Sequence, residues 1–220
     1  MRRTKEDAAI TREQLLKAAL HIFREKGYVE TTLDDIAKEA GTTRGAVYWH
    51  FGNKAELFNT VIREQYIRMS KKLLDAQPKD GTPLQILRSI ALMWMVVVEE
   101  DPEFRAMLEM LIAKTGLVPE LEKGIQDKIQ GTRAIIQYYA DLIRQGIASG
   151  EIRPDVKPEL AATTMLGMVN GVSNIWLFDP SSFSLKAYAE GAVDIFIRGI
   201  ALTENHDFQK LPQAGVKTGK

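Results

Sequence analysis

Between Ala40 and Lys54 the chain gathers two threonines, an arginine, three large aromatics, a histidine and a lysine, and no acid. Arg44 carries a planar fork that matches the O6/N7 edge of guanine. The Thr43 and Tyr48 hydroxyls, His50 and Lys54 can each donate to a phosphate oxygen. Gly45 lets a backbone come close to a duplex. The chemistry on offer is recognition of a polyanion, without bond making. The whole chain balances 29 basic against 29 acidic residues, so a nucleic-acid surface has to be local.

These residues need elements to hold them. Apolar residues recur at three and four along the chain, and breakers divide them at helical lengths. The expected fold class is all-α, about nine helices with no sheet. A first helix is predicted from about Thr11, or from an earlier residue, to Lys26. Thr11 and Gln14 have capping-box spacing, and Leu15, Leu16, Ala19, Ile22 and Phe23 form one face. Gly27 is expected to end it. A second helix runs from Leu33 to Ala40 behind Thr32 as N-cap, and a third from Thr43 to about Phe51. Gly41-Thr42 joins them, which is helix-turn-helix spacing with a glycine in the tight turn. So short a third helix cannot stand alone. Val47 and Phe51 are expected to pack on Phe23, Ile36 and Ala37. Thr43, Arg44, Gly45, Tyr48 and Trp49 are then left facing outward, and two exposed aromatics on a small surface call for a partner. Lys54 falls in the first turn of the next helix, where a cation opposes the dipole; a phosphate would supply the missing anion. On spacing alone, a plain helical hairpin with a solvated face remains the alternative.

Residues 31–57 read TTLDDIAKEAGTTRGAVYWHFGNKAEL. With Ala18-Ala19 and the Phe23 to Gly27 spacing, this string resembles the TetR family of bacterial transcription regulators. Thr32, Ile36-Ala37, Ala40-Gly41, Gly45, Tyr48, His50-Phe51, Lys54 and Leu57 all fall in register. The wording of residues 45–51 is most like the AcrR-type branch, which controls multidrug efflux. Thr42 departs from the pattern, where an apolar residue is usual. The resemblance implies that Thr43, Arg44, Gly45 and Tyr48 meet the major groove, and that Thr32, Trp49, His50 and Lys54 contact phosphates. For His50, a cap on the last carbonyls of the third helix stands as an equal alternative. Arg2, Arg3 and Lys5 form a basic arm toward the DNA backbone or minor groove, or a plain terminus.

The expected organisation is a DNA-binding head over residues 1–52, a helical body over 53–202 and a disordered polar tail over 203–220. Body helices are predicted from Asn53 to about Ala76, then over roughly 83–100, 102–114, 118–149, 158–178 and 184–202. From Ile90 to Val98 the chain is apolar around a whole helical circumference, so that helix must sit in the middle of a bundle. Met93, Trp94, Met107, Met110, Leu111, Tyr138, Met165, Met168 and Trp176 offer a methionine-rich and aromatic wall suited to varied apolar ligands. Ordinary core packing is the plainer reading of the same residues. The resemblance implies a ligand cavity in this bundle, hence a small apolar or amphipathic effector. Glu109 is expected to pair with Arg105 on the surface. Glu99, Glu100, Asp101 and Glu103 are expected to form a solvated face, although a cationic ligand could use one of them. The last two helices carry two apolar faces each, and two faces need two partners. Gly167, Asn170, Gly171 and Asn174, with Val193, Ile197 and Ile200, are the candidate homodimer interface. A dimer would place two reading helices on a palindromic operator of double-stranded DNA.

The function expected is a ligand-responsive, homodimeric repressor controlling an efflux transporter; a DNA-binding regulator that senses a protein partner is the alternative. Enzymatic readings fail on the same residues. The chain has no cysteine, and His21, His50 and His206 lack metal-ligand spacing. No phosphate loop or nucleophile elbow is present, so neither catalysis nor a metal nor a cofactor is expected. The longest apolar run, residues 90–98, is too short to cross a membrane. No apolar segment follows the basic start, and the expected location is cytoplasmic.

Overall fold

Within residues 5–113 and 119–202, which the computed structural model describes, the chain forms nine α-helices and one 3-10 turn. The expectations for Arg2, Arg3 and the tail 203–220 lie outside the described residues.

Helix α1 (Lys5–Glu30) starts earlier than the Thr11/Gln14 spacing suggested. Thr11 lies inside it, buried, with its hydroxyl donating to the Asp7 carbonyl at 2.8 Å. The capping box read there is therefore corrected. Glu6 and Asp7 stand in the first turn instead, where negative charge suits the helix dipole. At Gly27 (φ 77°, ψ 170°) the backbone leaves helical geometry as expected, yet a last turn continues to Glu30. That turn carries Tyr28 inward, its ring centroid 6.0 Å from that of Phe23 and 5.0 Å from that of Phe58.

Helix α2 (Leu33–Glu39) opens with a true capping box. Thr32 Oγ1 accepts from the Asp35 N–H at 3.1 Å, and the Asp35 carboxylate accepts from the Thr32 N–H at 2.9 Å. The turn into α3 (Arg44–Phe51) is a Schellman closure. The Gly41 N–H donates to the Lys38 carbonyl at 3.1 Å and the Thr42 N–H to the Ala37 carbonyl at 2.9 Å. Gly41 sits at φ 62°, a left-handed backbone in which a side chain would be strained. Val47 anchors α3 in the core, whereas Phe51 is only half-buried, with the Arg12 guanidinium 5.6 Å from its ring.

Helix α4 (Lys54–Asp75) begins behind Asn53, whose side chain accepts from the Glu56 N–H at 2.8 Å. There follow α5 (Pro83–Glu100), α6 (Pro102–Ala113), the 3-10 turn Pro119–Leu121, α7 (Glu122–Ala148), α8 (Pro158–Phe178) and α9 (Leu185–Ile200). Pro83, Pro102 and Pro158 open their helices, where a missing N–H leaves no bond unmade. Helix α5 is the axis of the body and touches α4, α6, α7, α8 and α9, as its apolar circumference demands. An isolated antiparallel bridge, Ile152 to Ala201, joins the chain after α9 to the α7–α8 loop; no strand forms among the described residues. The buried set runs continuously from Leu15 to Ile200, and α1 packs on both α4 and α6. Head and body thus share one core.

Candidate nucleic-acid interface

Helix α3 turns its polar and aromatic residues outward. Trp49 is 73% exposed and Tyr48 44%; Thr43, Arg44 and Gly45 are exposed beside them. Thr43 caps the helix by accepting from the Ala46 N–H at 3.2 Å, which leaves its own proton for an outside acceptor. Arg44 Nη1 lies 3.1 Å from Asp34 Oδ2, and Nη2 donates to the Tyr48 hydroxyl at 3.2 Å. The stretch that reads as acid-free along the chain therefore meets a carboxylate in space, supplied by α2. Both partners are open to water, so the pair is weak and Arg44 can exchange Asp34 for a base edge. A methyl group added at Gly45 would meet nothing closer than Thr43 Oγ1 at 3.8 Å. His50 is half-buried, with ring centroids 4.5 Å from Trp49 and 5.9 Å from Phe51.

Two residues expected on phosphates are otherwise engaged. Lys54 Nζ donates to the carbonyls of Tyr28, Val29 and Thr31 at 2.9, 3.2 and 3.0 Å, and lies 4.5 Å from the Tyr28 ring centre. These oxygens belong to the orphan carbonyls at the end of α1 and the residues just beyond. Their partial negative charge offsets the cost of a lysine at a helix N-terminus in the free protein. The Thr32 hydroxyl donates to Asp35 at 2.7 Å, and Lys26 reaches the same carboxylate at 2.7 Å. The Lys26 bond first, then those of Thr32, hold the Asp35 carboxyl far below the ordinary carboxylate range.

The head is tied to the body by partners that stand far apart in sequence. Glu109 accepts from Arg24 Nη2 at 2.8 Å and Nε at 3.0 Å, while the expected Arg105 pair is the looser one at 3.7 Å. The Tyr28 hydroxyl donates to Glu120 at 2.8 Å, and Lys123 pairs with Glu56 at 2.9 Å. Burial, then the bond to Glu120, pushes the Tyr28 phenol well above its usual range.

In the body, core packing claims most of the expected ligand wall. Trp94, Met107, Met110, Met165 and Trp176 are buried. Trp94 Nε1 donates to Ser173 Oγ at 3.2 Å and Trp176 Nε1 to the Phe183 carbonyl at 2.9 Å. Met93, Leu111 and Met168 are half-buried. Tyr138 faces outward, 41% exposed, with its hydroxyl 3.3 Å from Gln77. Its neighbour Tyr139 is the inward one, and burial, with a smaller contribution from Tyr138, pushes that phenol up to about 12. Of the expected wall, Met93 lines a cleft of about 470 Å³ between α4, α5 and α6.

The expected solvated acidic face is also corrected. Asp101 is 7% exposed and holds the α5–α6 junction to α4. It accepts from Arg68 at 2.9 Å, Lys72 at 2.5 Å and the Phe104 N–H at 3.0 Å. Burial pushes its carboxyl up. The Lys72 and Phe104 bonds and the neighbouring charges outweigh this, and its pKa is held below the ordinary value. Glu99 accepts from Ser184 and the Lys186 N–H at the start of α9, and Glu100 pairs with Lys186 at 2.5 Å.

Val193 and Ile200, expected on the dimer surface, are buried in this chain's own core. Asn170, Gly171 and Ile197 are half-buried, and Gly167 and Asn174 are exposed. The outward apolar stripes are Tyr188, Gly191 and Ile195 on α9, and Leu160, Ile175 and Phe178 on α8.

A short helix that turns aromatics and an arginine to solvent, carried on a helical body, is the arrangement of a helix-turn-helix transcription regulator. The family model described as "Bacterial regulatory proteins, tetR family" matches residues 15–61, and "MAATS-type transcriptional repressor, C-terminal region" matches residues 82–201. The HTH-type transcriptional regulator AcrR of Shigella flexneri is 32% identical over 199 residues, covering 89% of this chain and 92% of that protein. NalD, the secondary repressor of the MexAB-OprM multidrug efflux pump in Pseudomonas aeruginosa, superposes with a TM-score of 0.77 at 30% identity, over 90% of this chain and 98% of that one. A complex of SmeT with triclosan superposes with a TM-score of 0.77 at 26% identity, over 94% of this chain and all of that one, 100%; SmeT is the repressor of the Stenotrophomonas maltophilia efflux pump SmeDEF. The chain belongs to the TetR family of bacterial regulators, with a MAATS-type repressor C-terminal region, and its family is one of transcriptional regulators rather than enzymes. Among the described residues no helix is long and apolar enough to cross a membrane.

Proposed function

We propose that this protein is a cytoplasmic, homodimeric repressor that holds a palindromic operator and releases it when a small apolar or amphipathic compound occupies the helical body. The observation that carries the reading is α3: an eight-residue helix anchored through Val47, with Arg44, Tyr48 and Trp49 turned to solvent. Thr43, Arg44, Gly45 and Tyr48 meet the major groove, and Trp49 and His50 lie toward the backbone. Thr32 and Lys54 set the pose of the head through the bonds described above. The dimer forms through the outward stripes of α8 and α9, which gives two reading helices about one helical turn of DNA apart. The regulated gene encodes an efflux transporter, a reading supported by the roles of NalD and SmeT. The effector is a small molecule, a reading supported by the triclosan complex of SmeT.

Footprinting on the DNA upstream of the protein's own gene, with and without triclosan, tests this. A palindromic protected site that is lost on adding the compound is expected. Absence of any protected duplex site at moderate salt would end the repressor reading.

A further inference from the structure

We infer that Asp34 is a specificity-determining residue of the interface, which accepts from the N4 amino group of a cytosine in the base pair next to the guanine read by Arg44. The inference rests on the reading of α3 as the helix that meets the major groove, and it adds to that reading a residue of α2 and a base position.

Asp34 stands on α2, yet its carboxylate reaches the reading tip of α3, with Oδ2 3.1 Å from Arg44 Nη1. The two side chains are 63% and 57% exposed. The fold does not depend on their pairing, since an ion pair so open to water adds little to stability. The turn between the two helices is closed by the Gly41 and Thr42 N–H groups, and α3 is anchored by Val47. The start of α2 is served by Asp35, which Thr32 and Lys26 hold.

A carboxylate in this place works against binding to a polyanion unless a donor repays it. It is repelled by phosphates and by the acceptor atoms of the major groove, guanine O6 and N7, adenine N7 and thymine O4. The groove offers it two donors, the amino groups of cytosine and adenine. Adenine carries N7 beside its amino group, whereas the cytosine base presents its amino group alone, so a carboxylate favours cytosine. Reach follows from the pairing. A guanine edge bonded to Arg44 lies about 3 Å from the Nη atoms. Successive base pairs are stacked about 3.4 Å apart, which brings the neighbouring pair within range of Asp34. The guanidinium has five N–H donors, of which Asp34 takes one and the Tyr48 hydroxyl another, at 3.2 Å. A donor remains on each Nη for guanine whether or not Asp34 lets go. The two charges thus ask for opposite things of adjacent base pairs, acceptors for Arg44 and a donor for Asp34.

Selection by the full chain from duplexes with a randomised core, read by sequencing the bound fraction, tests this. Arg44→Ala marks the guanine position, as the one whose preference it loses. Next to that position, wild type is expected to favour a cytosine–guanine pair over an adenine–thymine pair by ~10-fold. Asp34→Ala should bring this neighbouring preference to within ~2-fold and keep the guanine. Glu39→Gln, which removes an exposed acid from the other end of α2, should keep both preferences. Asp34→Asn has nearly the shape of aspartate and gives a second reading should Asp34→Ala unfold. Its amide can accept from N6 and donate to N7 of adenine, so its preference should move to an adenine–thymine pair. An adenine–thymine pair favoured by wild type overturns the inference. So does a cytosine preference that survives in Asp34→Ala or Asp34→Asn, one lost only together with the guanine, or selection of no guanine that depends on Arg44. A chain that selects a palindrome in which Asp34 plays no part leaves the repressor reading standing, whereas a chain that selects no duplex ends both.

Discussion

Gly45 and Lys54 separate the chemistry of contact from the chemistry of support. An added methyl group at Gly45 has room in the free protein, its nearest neighbour lying at 3.8 Å. Gly45→Ala should therefore raise helix stability by up to ~1 kcal/mol, seen as a higher Tm. The same variant should lose operator affinity, because the methyl stands where the duplex approaches; binding as tight as wild type would show that it does not come near. Lys54→Met should instead lower stability by about 1–2 kcal/mol through the three lost carbonyl bonds. Its operator affinity should keep the wild-type salt slope. A slope smaller by ~1 would put the Lys54 ammonium on a phosphate after all. The charge and helical position of Lys54 are legible in the sequence. Its partners are not, because they are backbone carbonyls brought together by the break at Gly27, and carbonyls leave no trace in side-chain type.

Helices are where the sequence speaks most clearly. Breakers and caps at Thr32, Gly41, Asn53, Pro83, Pro102 and Pro158 place the starts and stops, and local bonds enforce them. The start of α1 is less legible, since Thr11 bonds back into a helix already begun. Choosing the inward face is harder still. Tyr138 and Tyr139 are neighbours in an apolar run, and only the arrangement of surrounding helices decides that Tyr139 goes in. Asp101 reads as one acid among four because the two cations that hold it belong to α4. Asp101→Asn should cost about 2 kcal/mol in chemical denaturation near neutral pH, by removing charge-assisted bonds to Arg68 and Lys72. Its folded pKa lies below the ordinary 3.8, so the ionised form stabilises the fold above that value. As pH falls from there through the lowered folded value, wild type should lose this increment and its stability should converge on that of the variant. A gap that stayed constant into acid would exclude the linkage.

The molecule as a whole has a tied head and an uncovered flank. Arg24 to Glu109, Tyr28 to Glu120 and Glu56 to Lys123 fasten α1 and the start of α4 to the α6–α7 side of the body. A change inside the body therefore reaches the head along more than the α4 axis. On the flank, Ile195 is 75% exposed, with Tyr188 and Phe178 exposed as well. The sequence shows that α8 and α9 have two apolar faces each; it does not show that Val193 and Ile200 belong to the inner one. Ile195→Asp should convert the protein to a monomer in sedimentation and weaken operator binding sharply, because the two half-sites are then no longer engaged as one unit. A dimer that persists at micromolar concentration would remove α9 from the interface.

The bonds from Lys54 end on groups that every amino acid carries. Substituting Val29 or Thr31 changes a side chain and leaves the acceptor in place. The joint between head and body is thus indifferent to much of what evolution or an engineer writes around it. A reading head from another family member should graft onto this body, provided the lysine travels with the graft and the chain still bends where Gly27 bends it.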